Sequence, residues 1–243
     1  MAPAARNPGS KFDLSWLARV HVNQPAVLRR AAQIQTQRPV KKNWQAAWLL
    51  RAVTCIDLTT LSGDDTPSNV YRLCYKAKHP IREDLLQALN MRDQVLFEEI
   101  RQFRQACGEA HMKTILGTGE LGSLTNVYKA SLVAMMAGTD FIKTSTGKEA
   151  VNATFPVGLV MVRAIRDFYW KTGYKVGFKP AGGIRTAKDA LTWLSLMKEE
   201  LGDEWLKPEL FRLGASTLLG DIERQIYHHV TSRYAAYYDI PMA

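Results

Sequence analysis

Strand-like runs alternate with helix-like segments at a nearly constant interval over most of this chain, and that rhythm limits the folds open to it. The runs are Ala52–Thr59, Met112–Thr118, Asp140–Ser145, Lys175–Pro180 and Glu209–Ser216. The first, AVTCIDLT, is almost continuously apolar, as strands covered on both faces are. Helical patterns follow the later runs, at Leu124–Ala137, Pro156–Trp170, Ala187–Leu201 and Leu218–Tyr234. A strand-helix unit of roughly 30 residues is the repeat of the (β/α)8 TIM barrel. The interval doubles between the first two runs, where Ile81–Cys107 has helical texture and no strand. The expectation is an α/β chain of that barrel class with five recognisable strands, incomplete as a barrel.

Three zones flank or contain this pattern. Residues 1–11, rich in Ala, Pro, Asn and Gly, read as disordered. Residues 12–51 read as an N-terminal helical extension packed on the outside or end of the barrel, and 52–243 as one barrel domain. Asp64, Asp65 and Thr66 precede Pro67, an N-cap signal for a helix carrying Val70, Leu73 and Cys74, with capping the expected role of both acids.

Two segments carry the chemistry. DFIKTSTGKEAVNAT, Asp140–Thr154, and VGFKPAGGIR, Val176–Arg185, each place one lysine at the C-terminal end of a short strand and then turn through glycines. Burying an unpaired ammonium is costly, so two lysines at matching positions on successive strands, Lys143 and Lys179, suggest function; the alternative is that they snorkel to solvent. Desolvation and a like-charged neighbour both lower a lysine pKa, and a free amine is what attacks a carbonyl to form a Schiff base.

With 243 residues and 47% hydrophobic composition, the chain can bury a sizeable core. No apolar run approaches the ~20 residues of a membrane span, and MAPAARNPGSK lacks the apolar stretch of a secretory signal. Cys55, Cys74 and Cys107 have no metal-like spacing and read as reduced thiols of a cytoplasmic protein, Cys55 as a small buried residue. The net charge of +9 is spread along the chain; its nearest clusters, Arg29-Arg30 and Lys41-Lys42, read as solvated helix faces, so nucleic acid is not the expected primary partner. His228 and His229 are adjacent on a helix, cannot act as an i, i+4 ligand pair, and read as surface residues.

KTSTGK at Lys143–Lys148 and GFKPAGGIR at Gly177–Arg185 resemble the signature stretches of the deoxyribose-phosphate aldolase family, class I aldolases on a (β/α)8 barrel. DLTTLSGDDT at Asp57–Thr66, KTILGTGEL at Lys113–Leu121 and FRLGAST at Phe211–Thr217 fit the same family in the same order. The resemblance covers nearly all of the chain from Trp44 onward and sets the five strands at barrel positions 1 and 5 to 8. Strands 2, 3 and 4 have no counterpart, the break falling between Met91 and Phe97. The family's strand-4 aspartate, part of its proton relay, thus has no residue here to inherit its role.

The resemblance implies reversible cleavage of 2-deoxy-D-ribose 5-phosphate to D-glyceraldehyde 3-phosphate and acetaldehyde, in deoxyribose phosphate and nucleotide catabolism. Lys143 would be the Schiff-base lysine, Lys179 the second lysine that depresses its pKa and shuttles protons, and Asp57 the acid that offsets their charge; a plain capping role for Asp57 stays open. Phosphate would sit against Gly182 and Gly183 after one strand and Gly214, Ala215 and Ser216 after the next, with Gly147 and Lys148 adding a cation. Arg185 either assists there or pairs at the surface. No metal or other cofactor is implied, because the iminium replaces a Lewis acid. The expected partner is a small phosphorylated sugar, with no membrane and with a homo-oligomer left open. Two alternatives stand beside this reading: a truncated, impaired form acting at most as a phosphate-binding or interaction protein, and a phosphosugar isomerase, which leaves the paired lysines unexplained.

Overall fold

The structure, a computed structural model, describes residues 6–37, 40–60, 64–88, 111–215 and 217–240. Five short strands, β1 (Ile56–Asp57), β2 (Lys113–Ile115), β3 (Phe141–Lys143), β4 (Gly177–Lys179) and β5 (Leu213–Gly214), all run parallel. β2, β3 and β4 form one ladder and β5 pairs with β1. Bridges Phe178↔Phe211 and Ala181↔Gly214 join β4 to β5. The sequence of neighbours is therefore β2-β3-β4-β5-β1, an arc in which the last strand returns beside the first, as barrels require. The arc is not closed among the described residues: the outer edges of β1 and β2 have no ladder partner there.

Helices follow the strands. They are α4 (Pro67–Lys78), α5 (Glu83–Ala88), α6 (Leu124–Met136), α7 (Phe155–Thr172), α8 (Ala187–Leu201) and α9 (Leu218–Thr231), preceded by α1 (Leu14–Arg19), α2 (Gln24–Thr36) and α3 (Lys42–Thr54). α8 shows how local sequence sets these bounds. Thr186 and Asp189 form a reciprocal capping box, and Ala187, Ala190, Leu191, Leu194 and Met197 then form one buried stripe. The extension packs on the outer helices, α2 on α7 and α8, and α3 on α8 and α9. Arg30 of α2 reaches Glu199 at 3.1 Å and Glu200 at 3.0 Å, and Arg163 takes the other oxygen of Glu200 at 3.1 Å. One basic residue of the Arg29-Arg30 cluster is thus part of the packing.

Several expectations need correction. The strand foreseen over Ala52–Thr59 is two residues long, because Ala52–Thr54 form the last turn of α3. Leu49, Leu50, Ala52 and Val53 are buried at helical spacing, and an apolar run of this length fits either period. Pairing in the other four runs is likewise shorter than the apolar pattern. The last helix ends at Thr231 rather than Tyr234, at Ser232 in the left-handed region (φ 59°). The cap of α4 belongs to Thr66, whose side chain accepts from the Asn69 N–H, whereas Asp65 accepts from Thr60 at 2.6 Å. α4 buries none of its residues, and Cys74 on it is exposed. Cys55 is buried, which raises its thiol pKa to about 11. His228 and His229 are half-buried, with His228 stacked on Tyr234. Cys107 and the junction between Met91 and Phe97 lie outside the described residues.

The N-terminal segment is also not loose where it is described. Asn7 is 5% exposed and donates through Nδ2 to the carbonyls of Met135 (2.8 Å) and Thr139 (2.9 Å), while its N–H meets Asp140 Oδ1. These carbonyls lie at and beyond the C-terminus of α6, where helical partners run out. Replacing Asn7 with Ala leaves both acceptors buried and is expected to cost about 1–3 kcal/mol in urea unfolding; unchanged stability would show the segment contributes nothing to the fold.

Candidate active site

Register brings the two lysines together. Lys143 and Lys179 are paired positions at the ends of β3 and β4, and Ile115 of β2 completes their row. Side chains alternate along a strand, so these three share one face. Lys143 is 8% exposed and Lys179 4%. The pairing continues past the lysines and holds them in place. The Thr144 N–H donates to the Lys179 carbonyl, Ala181 N–H to Thr144 Oγ1 at 3.0 Å, and Ser145 Oγ to the Ala181 carbonyl at 2.7 Å.

Asp57, at the end of β1, is the acid of this cluster. Its Oδ2 accepts from Lys179 Nζ at 2.5 Å and from Lys113 Nζ at 2.7 Å. Burial pushes the Asp57 carboxyl up, but the Lys179 and Lys113 ammoniums outweigh it and hold the pKa at about 2. A depressed carboxylate contributes stability above the ordinary carboxylate range, and that contribution is lost as pH falls towards about 2. Both inner lysines are lowered, and burial is the leading cause for each. For Lys143, Asp57 and Glu149 oppose the shift and Lys113 reinforces it; for Lys179, Asp57 opposes while Lys113 and Lys143 reinforce. Lys113 is therefore a further cation acting on Lys143, and the repulsion between Lys143 and Lys179 is mutual.

Lys113 was missed as a site residue although its strand was expected. It opens β2 in register with Phe141 and lies on the same face as Ile115. Period-two alternation signals that face, but no sequence pattern shows that the side chain crosses to β1.

The small-residue turns meet beside the lysines. A Cβ on Gly147 would lie 3.7 Å from Gly182, so the turns after β3 and β4 touch. Gly182 (φ +87°) tolerates no side chain, since a Cβ would fall 2.5 Å from Asn152. A Cβ on Gly214 would come within 3.1 Å of Lys179 Cε, which sets β5 directly against that side chain. Gly183 and Lys148 are exposed, and Ala215 is half-buried against the core. Arg185 is exposed, and its N–H is bound by Asp189 Oδ2 at the start of α8. Ser216 lies outside the described residues. Glu149, also unforeseen, folds back on the turn after β3: its carboxylate accepts from the Thr146 N–H at 3.0 Å and from Thr146 Oγ1 at 3.1 Å.

The chain as a whole is similar to known proteins. The family described as DeoC/LacD family aldolase matches residues 86–221. Deoxyribose-phosphate aldolase from Bos taurus is 60% identical over 317 aligned residues, covering 99% of this chain and 100% of the relative. The Homo sapiens protein of the same name is 59% identical over the same span and coverage. An apo crystal structure from Toxoplasma gondii ME49, described as a deoxyribose-phosphate aldolase, superposes with a TM-score of 0.58 at 18% identity, covering 76% of this chain and 98% of that one, a likeness of fold. No helix among the described residues is long and apolar enough to cross a membrane. Buried lysines ending neighbouring parallel strands, the match over more than half the chain and full-length relatives near 60% identity agree: the chain belongs to the DeoC/LacD family of aldolases.

Proposed function

We propose that this chain is a class I aldolase that cleaves 2-deoxy-D-ribose 5-phosphate reversibly to acetaldehyde and D-glyceraldehyde 3-phosphate. The observation that carries the reading is the pair of buried lysines in register at the ends of β3 and β4, one of them ion-paired and the other with its pKa lowered by burial. Lys179 is engaged by Asp57, so Lys143 is the amine left to react. Its free base adds to the substrate aldehyde, and loss of water gives the iminium. Two carbons leave as acetaldehyde and three as the phosphate ester, so the bond broken is C2–C3. As the C3 hydroxyl gives up its proton, that oxygen becomes the product aldehyde and the bonding electrons pass to the iminium as an enamine on Lys143. Protonation of the enamine at C2 and hydrolysis return acetaldehyde and the free amine. Lys179, Asp57 and Lys113 form the proton-holding group beside Lys143. Gly147, Lys148, Gly182, Gly183, Gly214, Ala215 and Ser216 make the phosphate seat; contact between the turns after β3 and β4, and Gly214 against Lys179, support that assignment.

Borohydride reduction in the presence of 2-deoxy-D-ribose 5-phosphate is expected to fix mass on Lys143 and none on Lys179. An adduct elsewhere, or none on soluble protein, defeats the reading.

The barrel is inferred to be incomplete. The aligned length of 317 residues exceeds the 243 of this chain, which requires a gap on this side of the alignment. The unpartnered edges of β1 and β2 are where missing strands would pair. Without the family's strand-4 aspartate, turnover is expected to fall roughly 10²–10⁴-fold, the usual weight of a general acid–base group. Steady-state rates equal to those of a full-length relative would overturn this.

The charge cluster gives a signed pH test. Removing Lys113 removes a like charge from Lys143, so Lys113→Met should move the acid limb of kcat/KM to higher pH. Asp57→Asn removes an opposite charge and should move it lower. Displacement of the acid limb in the same direction by both variants would show that Lys143 is not the titrating group.

A further inference from the structure

Glu149 occupies an unusual place. The turn Thr146–Lys148, which touches the turn after β4 at Gly182, carries donors that are already taken. The Thr146 N–H is 3.0 Å from both Glu149 oxygens, Thr146 Oγ1 lies 3.1 Å from Oε1, and the Lys148 N–H is turned onto Thr146 Oγ1 at 3.2 Å. Burial raises the Glu149 carboxyl pKa, but the Thr146 N–H and hydroxyl, the Ser145 hydroxyl and the Gly147 N–H together outweigh it and leave the group below its ordinary value. A concave set of consecutive backbone N–H groups is an anion seat, and a side-chain carboxylate satisfies the same donors that a phosphate oxygen would use.

We propose that Glu149 is an internal stand-in for the substrate phosphate: its carboxylate fills the donors of the Thr146–Lys148 turn in the unliganded protein and is displaced when a phosphorylated ligand arrives. Glu149 is then a specificity-determining residue. A phosphate dianion carries enough charge to take over the donors and engage Lys148. A neutral sugar offers nothing to exchange for the carboxylate. The proposal rests on the phosphate seat assigned above.

The test is titration of the full chain with inorganic phosphate, followed by phosphorus NMR, for the parent, Glu149→Gln, Glu149→Ala and Lys148→Ala. Both Glu149 variants are expected to bind phosphate about five- to tenfold more tightly, because a like charge near the ligand is gone and, in Glu149→Ala, the donors are also free. Lys148→Ala should bind more weakly. If Glu149→Ala weakens phosphate while Glu149→Gln preserves it, the side chain is a brace for the turn and the proposal fails. A seat that responds to Lys148→Ala and not to either Glu149 variant also defeats this proposal alone. Phosphate binding indifferent to Lys148→Ala, or absent in every form, removes the seat itself and both readings with it.

Discussion

The Asp57 carboxylate between the ammoniums of Lys113 and Lys179 is the contact on which the site depends. It joins residues from β1, β2 and β4, which the chain order separates widely, and it places one negative charge among three lysines. Burying those cations without it would be severely unfavourable, and burying them with a full complement of acids would leave no reason for any lysine to lose its proton. One acid for three cations is an intermediate arrangement. Lys179 and Lys113 are hydrogen-bonded to the acid, while Lys143 is desolvated and has no hydrogen bond to it.

The contact also bears on the open side of the sheet. β1 and β2 have no ladder partner on their outer edges among the described residues, yet the Lys113 side chain spans from one to the other. Backbone pairing is absent there and a charged side-chain pair supplies the connection. Such a pair fixes a distance between two points, but it does not satisfy the row of N–H and C=O groups that an exposed edge presents.

What could be read from the sequence was whatever repeats locally. The lysines at strand ends, the capping box of α8 and the apolar stripes of α6 and α7 follow from spacing of two or 3.6 and from turn chemistry. Ala52–Thr54 misled because a short apolar run satisfies both periods. Asn7 misled because a polar residue in a Pro- and Gly-rich stretch looks solvated until the two carbonyls it caps, more than a hundred residues away, are known. Lys113 and Glu149 stayed hidden for a related reason: each lies inside a recognised motif, but its role depends on the partner its side chain reaches. The phosphate turns were legible as motifs only; their mutual contact is a property of register.

α4 offers a different kind of consequence. It buries none of its side chains, while Lys76 on it meets the fully buried Glu223 of α9 at 2.7 Å, and Glu223 also accepts the Arg82 N–H at 3.1 Å. Moving α4 off α9 would leave the Glu223 carboxylate buried without its ammonium partner, a penalty that apolar docking does not carry. Among the described residues α4 is thus tied to α9 through charge, while Val70, Tyr71 and Tyr75 remain exposed to solvent.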